Sequence, residues 1–410
     1  MKNIFESLAG FTAVVISIAV SLTINGCTKV NAPSLYDPNF KSLPQPVVDS
    51  LSPAGSALAG VDTITIYGKY FSANRDSDGI YFNSTLLYNT SIISASQSQL
   101  VVKAPALSGD SIQVRVYVIG AVDFSSTVTY ELIAAISPFS TLASGEAAYG
   151  LCTGTDANLY ASLSNANLSG TKDEGIFKID TTTGSRTSYA SPTSGNVDWG
   201  AIKFGPGGYI YAVKGNRAVY RIPQGGSGAI WASASSGTFS DLDFDQNGNL
   251  WVAGTNNIYR IAQDATIKTF PFAGAIHAVR YFNGNLYFAA NVGSSPSQVF
   301  RSPLVNDSLG TPEAYFNLSS DPTGGNTIWA ITFSADGDMY AGTDSSDYLI
   351  VIHPSGIAER PYSLYAASGV LNSPCRAFAW IGTNLYTSTT AGGLLKITAR
   401  KQGAPYYGIQ

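Results

Sequence analysis

The chain has 410 residues, of which 45% are hydrophobic, 12% aromatic and 12% charged. That length allows about two or three domains, and the apolar share argues against a disordered chain. Its 23 Lys and Arg against 27 Asp and Glu give a formal charge of −4, so no basic footprint for nucleic acid dominates. The 41 Gly and 24 Tyr, with few charges and much Ser, Thr and Asn, point to an all-β protein outside the cytoplasm.

Lys2 opens the chain with a positive charge, weakened by Glu6. Residues 8–24 are then apolar, broken only by small or hydroxylated residues such as Gly10, Thr12 and Ser17. This is the order of a secretory signal over residues 1–26 rather than a membrane span, which needs about 20 strongly apolar residues. Thr23-Ile24-Asn25-Gly26-Cys27 resembles a bacterial lipoprotein box. The resemblance implies cleavage before Cys27 and lipidation of that cysteine. Acyl chains contribute about 0.8 kcal/mol per buried CH₂, so several on one residue anchor it stably. The alternative is an ordinary secreted protein in which Cys27 is incidental. Residues 27–44, with Pro33, Pro38 and Pro44, read as a tether. Thr28, not aspartate, follows the cysteine. This favours the outer membrane of a bacterial envelope, on its periplasmic or surface face.

Residues 45–133 show period-two alternation with turns roughly every 10 positions, the pattern of a small β-sandwich. Thr63-Ile64-Thr65-Ile66-Tyr67-Gly68-Lys69-Tyr70-Phe71, Gly79-Ile80-Tyr81-Phe82 and Ile112-Gln113-Val114-Arg115-Val116-Tyr117-Val118 are its clearest strands. Ser52-Pro53-Ala54-Gly55 precedes them, and Pro105 follows the Leu100-Val101-Val102 strand. These words, in this order, resemble the IPT/TIG family of Ig-like domains, which implies a spacer or adhesive module. Phe71, Tyr81 and Phe82 are expected in its core.

From residue 137 to residue 410 the chain repeats. A Gly-, Asn- or Asp-rich turn leads into Asn158-Leu159-Tyr160, Tyr209-Ile210-Tyr211, Asn249-Leu250-Trp251, Asn285-Leu286-Tyr287, Asp338-Met339-Tyr340 and Asn384-Leu385-Tyr386. The spacing averages about 45 residues, the period of a four-stranded propeller blade. A second word follows each in step, from Ile176-Phe177-Lys178-Ile179 and Val219-Tyr220-Arg221-Ile222 to Leu394-Leu395-Lys396-Ile397. Two words repeating six times resemble a six-bladed propeller of the NHL or SMP-30 type. The fold class is therefore an Ig-like β-sandwich followed by a six-bladed β-propeller. Such a ring must close, through residues 404–409 or through a strand at 139–143. The second is favoured, because a strand shared between the two ends ties the ring shut.

The innermost strand of each blade begins about ten residues before the repeated aromatic and faces the central channel. Aligning the blades brings Tyr149, Trp199, Asp241, His277, Trp329 and Arg376 to one rim. Aromatic faces cover the C–H faces of a pyranose and charged groups hold hydroxyls or a carboxylate, so this set suits a sugar. The alternatives are inter-blade packing for Trp199 and Trp329 and an inter-blade ion pair for Arg376.

Enzyme signatures are sparse. Two histidines, His277 and His353, are too few for a multi-His zinc site, and His277 has no orienting carboxylate that the sequence identifies. The gluconolactonase branch of SMP-30-like propellers holds a divalent metal through Glu, Asn and Asp. That set has no counterpart in the acids near the innermost strands, Glu146, Asp198 and Asp241. Residues 243–248 fit half an EF-hand loop, but Gly254 stands where the bidentate Glu belongs, so the segment reads as a hairpin turn. No catalytic residue, cofactor or metal is expected. Cys152 and Cys375 either pair to staple the ring or remain two buried thiols. The reading that results is a lipid-anchored, non-catalytic binding module for a glycan or for an envelope or extracellular protein, with no nucleic-acid partner. A propeller-type lactonase or lyase, or a scaffold for envelope complexes, is the alternative.

Overall fold

The computed structural model describes residues 41–139, 142–169, 172–192 and 199–409. The expected signal segment, Cys27, the expected tether up to residue 40 and Asp198 lie outside the described residues. Among the described residues, no helix is long and apolar enough to cross a membrane.

The Ig-like module is built from two sheets. One pairs Val47–Ser52, Thr63–Lys69, Gln99–Lys103 and Ile92–Ser96; the other orders Ser56–Ala59, Val128–Ala134, Gly109–Val118, Asp78–Phe82 and Thr85–Tyr88. Alternate residues point inward, so Ile64, Ile66, Ile80, Phe82, Val114 and Val116 form one buried core with Phe71. Tyr81 departs from the expectation. Because Ile80 and Phe82 take the inward positions, Tyr81 stands on the opposite face, against Tyr117 and Phe124 with ring centroids 6.1 and 5.8 Å away.

Asp78 begins one of these strands and is buried. One carboxylate oxygen accepts from Ser72 N at 2.9 Å, while Oδ2 has no partner. Burial pushes its pKa up to about 6. The folded state therefore holds a proton that the unfolded chain releases near pH 4, so this group favours folding below that range and disfavours it as pH rises through 6. Asp78→Asn keeps the oxygen that Ser72 N needs. It should stabilise the module at pH 7.5 by on the order of 2 kcal/mol, with the difference gone at pH 4 in urea titrations.

The propeller is a ring of six four-stranded antiparallel blades. Their innermost strands lie at Glu146–Thr153, Ile202–Gly205, Phe239–Phe244, the second half of Ile267–Phe282, Ile328–Phe333 and Cys375–Ile381. The repeated aromatics Tyr160, Tyr211, Trp251, Tyr287, Tyr340 and Tyr386 all open second strands and are buried. They recur because each blade is covered by the next: six separate apolar clusters fill the six gaps around the ring.

Ile136–Pro138, from the N-terminal side of the propeller, pairs antiparallel with Leu394–Thr398 and supplies the outer strand of the sixth blade. Closure thus comes from the favoured end but three residues earlier than 139–143, with Phe139 N continuing the contact to Leu394 O at 2.9 Å. Residues 140 and 141 lie outside the described residues. The C-terminal stretch does something else. Its backbone meets blades five and six, through Ala335 N to Gln402 O (2.7 Å), Gly403 N to Gly382 O (3.1 Å) and Ala404 N to Phe333 O (3.0 Å). Tyr406 then donates its hydroxyl to Phe204 O on blade two. The segment lies across the channel as a floor.

A short helix, Ser363–Ala367, links the last two blades. Its Tyr365 hydroxyl accepts from Ala135 N (2.8 Å) and donates to Ala59 O (2.9 Å), while Arg400 reaches Asp62 at 2.9 Å. One phenol thus joins the Ig-like module to the ring.

Candidate functional site

Every innermost strand is interrupted near its start. Registers slip between Ala148 and Leu151, Phe239 and Asp241, Ile276 and Ala278, Ile328 and Ala330, and Cys375 and Ala377. Blade two does the same at Gly200 and Ala201, which both bond to Val213. A β-bulge adds one unpaired residue and re-aims its side chain. In four blades that residue is Tyr149, His277, Trp329 or Arg376. The carbonyls here are taken by hydroxyls of the preceding blade: Ser388 bonds Tyr149 O (2.7 Å), Ser162 bonds Trp199 O (2.9 Å) and Ser240 bonds Ile276 O (2.7 Å). Gly150, inside the first bulge, has no alternative, since a Cβ would run into Gly200 O.

The result is a cavity of about 580 Å³ at this end of the channel, lined by all six residues expected from the sequence. They do not stand there in the same way. Trp329 is 40% exposed, and its ring lies 5.8 Å from that of His277. The guanidinium of Arg376 sits 4.0 Å from the centre of the Tyr149 ring, a cation–π contact between blades six and one. Trp199 is only 1% exposed. It packs in the gap between blades one and two, edge-on to Tyr220 at 5.1 Å and under Lys214 Nζ at 4.1 Å. Asp241 comes one residue after its bulge and turns into the wall. Its Oδ2 accepts from Val279 N (2.9 Å) and from Arg280 Nη1 (2.6 Å) on blade four.

His277 is held by a fixed network. Asn291 gives its amide hydrogens to Ser295 O (2.9 Å) and Asn326 O (2.8 Å). Its Oδ1 must therefore accept, taking Ser297 Oγ at 2.7 Å and His277 Nε2 at 2.8 Å. This sets the Nε2–H tautomer. Burial lowers the pKa of His277, which keeps the ring neutral at pH 7.

Below the rim the channel carries charge. Lys203, Asp243 and Arg280 line a second cavity of about 210 Å³, bounded by the floor segment with Tyr406. Asp243 Oδ2 accepts from Tyr281 N (2.8 Å), and burial raises the pKa of its carboxyl. Burial lowers that of Lys203. Lys203, Lys214, Arg280 and Ser240 were not anticipated. Their signal was present: Lys203 and Arg280 interrupt otherwise apolar innermost strands, and a charge there has only the channel or a buried partner to face.

The metal implied by SMP-30-like resemblance does not fit these residues. Among the described residues lining the upper cavity Asp241 is the one carboxylate, and it already serves Arg280 and Val279 N. Among the described residues, no group of three or more His, Cys, Asp or Glu is placed to hold an ion. Asp245 of the EF-hand-like stretch accepts from Asn247 N, Asn249 N and Trp251 Nε1 at 2.8–3.0 Å, the bonds of a hairpin turn.

The possible Cys152–Cys375 bridge is a correction: both thiols are free and buried. Cys152 packs between blades one and two, and Cys375 between blades five and six. Each sits on a different side of its neighbour in the ring, and burial pushes each thiol up to about 12.

Residues 46–132 match the IPT/TIG domain family. No curated protein matches the chain. Among solved structures, a protein of unknown function from Bacteroides thetaiotaomicron aligns over 88% of this chain and 99% of its own, at 15% identity and a TM-score of 0.48. An auxiliary nutrient binding protein from the same organism covers 88% and 98% at 11% identity, also with a TM-score of 0.48. A gluconolactonase from Xanthomonas campestris covers 81% and 98% at 10% identity and a TM-score of 0.48.

Proposed function

We propose that the protein is a non-catalytic binding module of a bacterial envelope, anchored by lipid on Cys27, whose propeller cavity takes a glycan. The observation that supports this is Trp329, a large aromatic side chain left 40% exposed beside a pocket shared by all six blades. An exposed indole at a polar pocket is suited to the C–H face of a sugar ring. The Ig-like module sets the distance from the membrane.

Calorimetric titration of the purified protein with oligosaccharides tests the reading. Trp329→Ala should weaken binding by roughly 10- to 100-fold, the equivalent of one stacked ring. Its melting temperature should stay within about 2 °C, since an exposed side chain contributes little to the fold. Unfolding of the variant would show that Trp329 is packing instead. Product release from a tested glycan, abolished by EDTA, would contradict the binding-module reading in favour of a metal-dependent enzyme.

A further inference from the structure

His277 offers the cavity a group whose chemistry is fixed by its network. Its Nε2–H donates to Asn291 Oδ1 at 2.8 Å, and that amide cannot turn, because its hydrogens lie on Ser295 O and Asn326 O. Burial lowers the pKa of the ring, so at pH 7 the other nitrogen, Nδ1, carries a lone pair and no hydrogen. Nδ1 is bonded to no described residue and is not sealed inside the wall, while the half-buried ring lines the cavity. The cations around it are engaged already: Arg280 on Asp241, Lys214 beside Asp173 and over the Trp199 ring, and Arg376 over the Tyr149 ring. Beside Trp329 the cavity therefore presents a ligand with an acceptor.

The imidazole stands at 52° to the indole of Trp329, with ring centroids 5.8 Å apart, and the indole stays 40% exposed. A sugar laid on that indole carries its ring substituents toward His277. Resting on the glycan reading above, we infer that His277 sets the ligand's orientation: its Nδ1 accepts a hydrogen bond from a hydroxyl or an acetamido N–H of the sugar that covers Trp329. An acceptor without a hydrogen discriminates. A hydroxyl or amide N–H satisfies it, whereas an ether oxygen or a carboxylate placed there leaves two acceptors facing each other. His277 thus selects which edge of the sugar enters, and Asn291, through Nε2, is the positioning residue that holds His277.

Nitrogen NMR of the histidine rings, with calorimetry on the same purified protein, tests this. The probes are cello-oligosaccharides, which offer hydroxyls, and chito-oligosaccharides of matched length, which add an acetamido N–H. Before sugar is added, Nδ1 of His277 should resonate as a bare nitrogen and Nε2 as a protonated one. Saturation with a binding sugar should move Nδ1 toward the position of a hydrogen-bonded nitrogen and leave the proton on Nε2. His353 is the internal control, since Asp338 and Glu359 meet its two nitrogens at 2.8 and 3.3 Å. His277→Phe, which keeps a flat ring but no acceptor, should weaken binding by about 3- to 10-fold. A preference for chito-oligosaccharides that disappears in His277→Phe identifies the amide as the donor, and equal weakening of both sets identifies a hydroxyl. A sugar whose binding depends on Trp329 but leaves Nδ1 unmoved, or a His277→Phe variant that binds as tightly as the parent, would overturn the role of His277 and leave the glycan reading intact. Binding of neither set would overturn both.

Discussion

Asp241→Ala should lower the stability of the propeller by about 3 kcal/mol, the low end of what breaking a buried ion pair costs, because Asp243 remains near Arg280. The cost has two parts. Arg280 keeps a buried guanidinium without its closest counter-charge, and Val279 N loses its acceptor between blades three and four. For a ring of this size the melting temperature should fall by on the order of 5–10 °C. Asp241→Asn, which keeps an oxygen for Val279 N, should cost less. Urea denaturation of the two variants against the parent measures this. If Asp241→Ala stayed within 0.5 kcal/mol of the parent, about the scatter of neutral surface changes, the carboxylate would be a ligand contact and not a tie between blades.

A second large effect is expected where the ring closes. Ile136 is buried and pairs with Ile397 at the outer edge of the sixth blade. Ile136→Ala should remove about 2–4 kcal/mol through lost burial and the cavity left behind. A closing strand of three residues has little else to hold it. Its partner would then become an open sheet edge, prone to pairing with other chains. Hydrogen exchange gives the sharper readout: amides of Leu394–Thr398 should lose protection while those of Leu159–Asn165, across the gap in blade one, change less. Unaltered protection of Leu394–Thr398 would mean that closure does not depend on this strand.

The ring was legible in the sequence because its physics repeats. Each blade must present an aromatic at the start of its second strand to the neighbouring blade, so Tyr160, Tyr211, Trp251, Tyr287, Tyr340 and Tyr386 mark the same place six times. The rim was legible for the same reason, since a fixed offset from these residues reaches the bulges. What separated Trp329 from Trp199 was not legible. Trp329 is itself the bulged residue, whereas Trp199 stands just before the bulge at Gly200 and turns into the wall. Asp241 missed the rim by one position, for Ser240 is the bulged residue of its blade. The closing strand is too short to show a period, and the floor segment around Tyr406 crosses the channel mostly without regular structure, so neither left a pattern to read. Tyr81 shows how a single step of strand alternation decides between core and surface.

The most direct test is a crystal structure of the protein with a bound oligosaccharide. A sugar ring stacked against Trp329 within the cavity is the predicted outcome. Density for the sugar on the Ig-like module or on the outer blade edges, with the cavity unchanged, would contradict it.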